Sequence, residues 1–242
     1  MKFQRLCFPV ALLASMMAIG DRCAACTDAS FTGVWGFQLG TAVGQLTSNG
    51  SGKITAGSTT MTENGIIITR TFTGTYSVAA NCTGKFILNF TSGGSGSATA
   101  SFVLDSSNEG AQVIETTAGA SAEGPAAAEG TVTCGLTGMK ETFAAFLLGQ
   151  NPTGLLVDYV AQIVLNGKGA VSGSGTFDVG GTFHVVSFTG TYTEATDCKG
   201  TIQIRPTGLT PLDFAFVVVN GGKKLLLVET DPLTSVFGNM VQ

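Results

Sequence analysis

Phe72-Thr73-Gly74-Thr75-Tyr76, followed by Asn81-Cys82-Thr83-Gly84, returns later in the chain as Phe188-Thr189-Gly190-Thr191-Tyr192, followed by Asp197-Cys198-Lys199-Gly200. Both parts of the block recur at one offset of 116 residues. A block repeated at fixed spacing means that the chain builds one structural unit twice. Positions held in both copies then speak for the fold, and positions that differ speak for function.

The repeat extends in both directions. Gln45 to Gly50 matches Gln162 to Gly167 at an offset of 117, and Ser101 to Leu104 matches Ala215 to Val218 at 114. Val113 to Thr116 matches Leu227 to Thr230, also at 114. Gly36 to Gly40 aligns with Ala145 to Gly149 at 109, which sets Trp35 against Ala144. On that alignment the second copy carries a longer loop at Asn151 to Asp158. The copies span residues 26–117 and 132–242. Between them, 118–131 is rich in Ala, Gly and Glu and reads as a linker or edge segment.

Within each copy the pattern has period two. From Ile66 to Tyr76 the even positions are Ile66, Ile68, Arg70, Phe72, Gly74 and Tyr76, while positions 69, 71, 73 and 75 are all Thr. Lys85 to Phe90 repeats the alternation with Phe86, Leu88 and Phe90. Such strands have one apolar and one wet face. Asn49-Gly50, Asn64-Gly65, Asn166-Gly167 and Asn220-Gly221 mark hairpins. The expected fold is all-β: two tandem antiparallel barrels of about seven or eight strands each, since closure removes exposed edges. A β-sandwich is the alternative.

Composition narrows the function classes. Charged residues are 12% of the chain and the formal net charge is −4, without a basic run. Nucleic acid is therefore not expected as a partner, because phosphate binding needs clustered Lys and Arg. Lys2 and Arg5 followed by the apolar stretch Leu6 to Ile19 read as an export signal over residues 1–25, with cleavage near 20 or 25. Cys23 occupies the place where a lipoprotein signal carries a Leu-like residue, which argues against lipidation at Cys26. No later segment is long and apolar enough to form a transmembrane helix. The paucity of Tyr and Trp argues against the aromatic girdles of an outer-membrane barrel. A secreted, periplasmic or cell-surface location is expected.

Cys26, Cys82, Cys134 and Cys198 fall two per copy at matching places. The repeat favours Cys26–Cys82 and Cys134–Cys198 among the three connectivities that four cysteines allow. Each bridge would close a loop of roughly 60 residues and contribute ~4 kcal/mol in the chain-entropy view. Metal binding is not expected, since the single His and the cysteine spacing supply no ligand set.

Cys26-Thr27-Asp28-Ala29-Ser30-Phe31-Thr32-Gly33-Val34-Trp35-Gly36-Phe37 resembles the opening of a group of bacterial secreted β-domain proteins. These begin with Cys and a Gly-x-aromatic-Gly-Phe block. They continue through Asn-Gly hairpins, a Gly-Thr-Tyr strand and a Cys-x-Gly turn to a closing Glu-Thr-Asp-Pro, here Glu229-Thr230-Asp231-Pro232. The resemblance covers nearly the whole mature chain, twice, and implies an exported β-domain without a known activity. Gly33-Val34-Trp35 is also similar to the Gly-x-Trp of lipocalin-like barrels, and a barrel of this size resembles those of allene oxide cyclase-type enzymes.

Candidate chemistry is sparse. Gly50-Ser51-Gly52-Lys53 ends like a phosphate-binding loop, but Thr47 and Ile54 break that pattern and the segment reads as a hairpin turn. No Gly-x-Ser-x-Gly elbow occurs. Strand parity turns Tyr76 and Glu115 inward in copy one, and Tyr192 and Glu229 in copy two. Arg70 is inward where copy two has Val186, and His184 is inward where copy one has Ile68. An inward carboxylate must be hydrogen-bonded, paired or protonated. One reading gathers Arg70 with Glu115 and His184 with Glu229 as ligand sites. The other makes Glu and Tyr a buried structural hydrogen bond, and the sequence favours it.

The expected function is therefore non-catalytic: an exported tandem barrel, without cofactor, that binds a small apolar ligand or a cell-surface or matrix polymer. The alternatives are a cyclase- or isomerase-type enzyme using an inward Glu, Tyr, Arg or His, and a structural or adhesive surface protein. Oligomeric state is not legible in the sequence.

Overall fold

A computed structural model describes residues 25–63 and 66–242. The export segment, apart from Ala25, and the Asn64-Gly65 hairpin lie outside the described residues.

The first barrel comprises β1 (Thr32–Leu39), β2 (Ala42–Asn49), β3 (Lys53–Glu63), β4 (Ile66–Val78), β5 (Thr83–Ser92), β6 (Ser97–Leu104), β7 (Gly110–Glu115) and β8 (Glu123–Ala128). Each strand pairs antiparallel with the next, and β8 returns to β1 through Trp35↔Ala128, Gly36↔Ala127 and Phe37↔Ala126. The closing strand thus comes from the Ala-rich segment between the two copies. The second barrel comprises β9 (Thr142–Gln150), β10 (Leu156–Leu165), β11 (Ala170–Val179), β12 (Thr182–Glu194), β13 (Lys199–Pro206), β14 (Leu212–Val219), β15 (Lys224–Glu229) and β16 (Phe237–Val241). It closes between β16 and β9. The protein is all-β, with two closed eight-stranded up-and-down barrels rather than sandwiches.

The ladders correct one part of the sequence alignment. Trp35 stands opposite Leu46 in the first barrel, and Phe143 stands opposite Ile163 at the equivalent place in the second. The offset at β1 is therefore 108, the same as between Cys26 and Cys134, and Trp35 corresponds to Phe143 rather than Ala144. Because side chains alternate, a one-residue slip would exchange the faces of the whole strand. Phe37 points inward and is buried, whereas Phe146, its partner in the sequence alignment, points outward and is exposed. Identity over a few residues cannot outvote this parity.

Each barrel is filled from its own strands and from the end segment that precedes them. Phe31, Trp35, Tyr76, Phe86 and Phe102 are buried together in the first, with Phe31 stacked on Trp35 at 4.3 Å between ring centres and Phe86 stacked on Phe102 at 4.3 Å. Phe143, Tyr159, Phe177, Phe188, Ile202, Phe214 and Leu227 fill the second. A 3-10 turn lies against one end of each barrel, Asp28–Ser30 in the first and Leu136–Gly138 in the second. The disulfides Cys26–Cys82 and Cys134–Cys198 tie these end segments to the β4–β5 and β12–β13 turns. Two disulfides belong in an oxidising, extracytoplasmic compartment.

The Asn-Gly turns show why Asn recurs. Asn49 Oδ1 accepts from the backbone N–H groups of Ser51 and Lys53, and Asn166 Oδ1 accepts from those of Lys168 and Ala170. Gly50 and Gly52 adopt positive φ, as do Gly167 and Gly169. Gly50-Ser51-Gly52-Lys53 is accordingly a hairpin turn between β2 and β3.

The barrels also pack on each other. Ala215, Val217 and Val219 of β14 and Leu226 and Val228 of β15 point away from their own core and form a third apolar cluster with Val43 of β2. Ala127 and Phe237 lie at its margin. Gly36 makes this approach possible: a β-carbon there would collide with Val219 Cγ1 and lie 3.0 Å from Val217 Cγ1. Polar contacts frame the seam. Gln45 Nε2 donates to Asp197 O at 2.9 Å and to Glu129 Oε2 at 3.2 Å, and Lys199 Nζ donates to Ser58 Oγ at 2.8 Å.

Candidate functional site

Inward strand positions carry a few polar groups, and each is engaged differently. The hydroxyl of Tyr76 lies 2.8 Å from Phe31 O and 2.9 Å from Asp28 O. That of Tyr192 lies 3.1 Å from Met139 O and 3.2 Å from Leu136 O. Both tyrosines therefore hold the 3-10 end turn of their barrel, satisfying carbonyls that strand pairing leaves open. Neither bonds to the glutamate of its own repeat, so the Glu–Tyr pair read from the sequence does not form.

Arg70 sits half-buried at a rim of the first barrel. Its guanidinium donates to Glu63 Oε2 at 2.6 Å and to Gly93 O at 3.2 Å, and lies 5.1 Å from the centre of the Phe90 ring. Glu115 is half-buried at the end of β7. Among the described residues no hydrogen bond joins it to Arg70. His184 is half-buried on β12 opposite Phe177, and no hydrogen bond joins it to Glu229 among those residues.

Glu229 is the exception. It is 3% exposed, and its Oε2 has no hydrogen-bond partner among the described residues. Burial pushes its carboxyl up to about 8, and the neighbouring carboxylates of Asp231 and Asp213 add to the effect. Asp231 is also raised, chiefly by burial. Burial and then the Glu229 charge raise the Tyr159 phenol as well. Sequence reading did not single out Asp213, Asp231 or Tyr159 as site residues. The one available signal for Asp231 was its place in the closing Glu-Thr-Asp-Pro.

The repeat explains part of this cluster. Asp231 Oδ2 accepts from the Asp213 N–H at 3.0 Å, just as Thr117 Oγ1 accepts from the Thr99 N–H at 2.8 Å in the first barrel. Asp231 therefore performs a backbone-capping task that a neutral Thr performs in the other copy. The extra charge burdens Glu229, which answers by holding its proton. A second acid, Glu194, takes the place of Val78 in the first barrel; both its carboxylate oxygens are buried without a partner among the described residues, and burial pushes it up to about 7.

Space for a ligand is scarce inside. The second barrel encloses an apolar cavity of about 20 Å3, lined by Tyr159, Phe177, Ile204, Phe214 and Leu227 among others. That is room for one water-sized sphere. The larger concavities lie over the first barrel. One of about 960 Å3 runs over β5 to β8 and is lined by Lys85, Val103, Gln112, Ile114, Pro125 and Phe237 among others. Another of about 520 Å3 lies over β4 to β6, lined by Thr75, Ser77, Lys85, Ile87, Thr99 and Ser101 among others.

Glu129 approaches the Cys134 and Cys198 sulfurs. Those sulfurs are joined to each other and present no thiolate to a metal. No protein-family model, curated protein or solved structure matches this chain.

Proposed function

We propose that the protein is an exported, non-catalytic tandem barrel that binds a hydroxylated cell-surface or matrix polymer on its outer wall. The observation that carries this reading is the filling of both interiors. Apolar-ligand barrels need an open cavity of several hundred Å3, and here aromatic side chains occupy that volume. The same filling weakens the cyclase or isomerase alternative. Glu229 has the raised carboxyl that acid–base chemistry uses, but the cavity described within that barrel has room for one water-sized sphere and is not lined by Glu229.

The outer wall of the first barrel has the right chemistry for a polymer. Thr75, Ile87, Thr99 and Thr116 succeed one another across β4 to β6 and the segment after β7, with Lys85 and Ser101 beside them. The exposed Thr75 and Thr116 and the half-buried Thr99 and Ser101, with the aliphatic Ile87 among them, suit a chain of sugar rings. Co-sedimentation of the exported protein with insoluble bacterial surface polysaccharide tests the proposal. Retention is expected for the native chain and loss for Thr75→Glu/Thr99→Glu. Native mass spectrometry should find no co-purifying lipid. A stoichiometric apolar ligand, or equal retention of the double variant, would overturn the reading.

A further inference from the structure

The contact between the two barrels is head-to-tail: the β14–β15 wall of the second packs on the β1–β2 wall of the first. Because the barrels are copies of one unit, each also owns the other half of that contact. On the first barrel the equivalents of Ala215, Val217, Leu226 and Val228 are Ser101, Val103, Gln112 and Ile114, all at an offset of 114 and in the same ladder register. On the second barrel the equivalents of Gly36, Gln38, Val43 and Gln45 are Ala144, Phe146, Val160 and Gln162. Among the described residues no wall of the other barrel covers either set, although Phe237 borders the first across a concavity. Val103 and Ile114 are each 51% exposed, and Phe146 and Val160 are 48% and 57% exposed.

We propose that these two free walls bind each other between molecules, so that a second copy of this chain docks its β6–β7 wall on the β9–β10 wall of the first. The contact would repeat the internal one and continue its direction. A heterologous contact of this kind does not consume both halves at once, and it builds rings or open filaments. The β6–β7 wall borders the concavity of about 960 Å3, which Gln38 and Phe237 bound at the edge of the internal seam, and the opposing wall presents the exposed Phe146 at the place of the buried Gln38. Val160 repeats Val43 and Gln162 repeats Gln45, the residue that bridges the internal seam.

The intermolecular contact is the weaker of the two. Gln112 and Ser101 stand where the internal seam has Leu226 and Ala215, and Asp105 stands where it has Val219. Less apolar area is removed from water, and assembly is expected to depend on concentration. This association is independent of the polymer reading and goes beyond it.

Sedimentation velocity on the exported, disulfide-bonded chain tests the proposal, using one variant for each wall. Val103→Arg/Ile114→Glu spoils the first wall and Phe146→Glu/Val160→Arg the second; all four side chains are exposed, and circular dichroism verifies the fold. The native chain should form a series of oligomers with rising concentration. Each variant alone should remain monomeric. Their equimolar mixture should form a 1:1 dimer that grows no further, because one intact wall of each kind remains. A native chain that stays monomeric at millimolar concentration overturns the proposal. So does a single variant that still dimerises, which would indicate a self-complementary contact, or a mixture that stays monomeric.

Discussion

The Tyr76 hydroxyl stands 2.8 Å from the carbonyl oxygen of Phe31, and with its contact to Asp28 O it holds the end segment whose Phe31 side chain fills the first barrel. The second barrel repeats the device between Tyr192 and Met139 at 3.1 Å. Tyr76→Phe and Tyr192→Phe should each lower stability by about 1–2 kcal/mol, since a buried acceptor loses its donor while packing is kept. Urea unfolding followed by circular dichroism measures this. Loss of less than a few tenths of a kcal/mol would show that the end turn holds without the tyrosine.

The buried acid of the second barrel gives a pH signature. Glu229 holds its proton to about pH 8 when folded, against an ordinary value of 4.5. Between those values the folded state binds more protons than the unfolded chain, so its contribution to stability, full at low pH, is lost as pH rises through that window. Glu229→Gln should match the native chain near pH 4 and exceed it by roughly 1–3 kcal/mol near pH 8.5. Urea midpoints across pH check this. Glu194→Gln should behave alike, with its window closing near pH 7.

Each disulfide spans more than 50 residues of its own barrel, 56 for Cys26–Cys82 and 64 for Cys134–Cys198. Replacing Cys26 and Cys82 by Ser should cost about 4 kcal/mol in the chain-entropy view. Limited proteolysis should then cut preferentially within the first barrel. Equal susceptibility of both barrels would show that they unfold as one unit.

Gly36 and Ala144 occupy equivalent places in the two barrels, one buried in the seam and one exposed. Gly36→Val should force β1 away from β14 and lower stability by roughly 1–3 kcal/mol. Ala144→Val should leave the monomer unchanged. Small-angle scattering should show the barrels separating in the first variant alone, and an unchanged profile for both would contradict the close approach at Gly36.

The residues that decided the fold were readable because they act locally. Period-two alternation in Ile66 to Tyr76 assigns faces to a strand without reference to anything else in the chain. The repeated Cys positions predicted both bridges. The alignment of β1 failed because the Phe, Leu and Gly identities at 37, 39 and 40 outweighed ladder parity, which becomes visible only when Trp35 is seen opposite Leu46. Inward placement of Tyr76, Tyr192 and Glu229 was legible from parity. What they meet was not, because Tyr76 reaches a carbonyl 45 residues away and Glu229 answers first to its burial, which the packed barrel sets, and then to Asp231 and Asp213.

By itself the sequence determined that one β-unit is built twice and which face of most strands is apolar, and it favoured the cysteine pairing that the structure shows. Those are properties of alternation and repetition, and each copy carries them whole. The tertiary structure alone decided that 123–128 closes the first barrel, that both interiors are filled, and that β14–β15 rather than β6–β7 is covered. Val103 and Val217 are the same residue at the same place in the repeat. One is exposed and the other buried because only Val217 has a glycine, Gly36, on the facing wall of a barrel within the same chain.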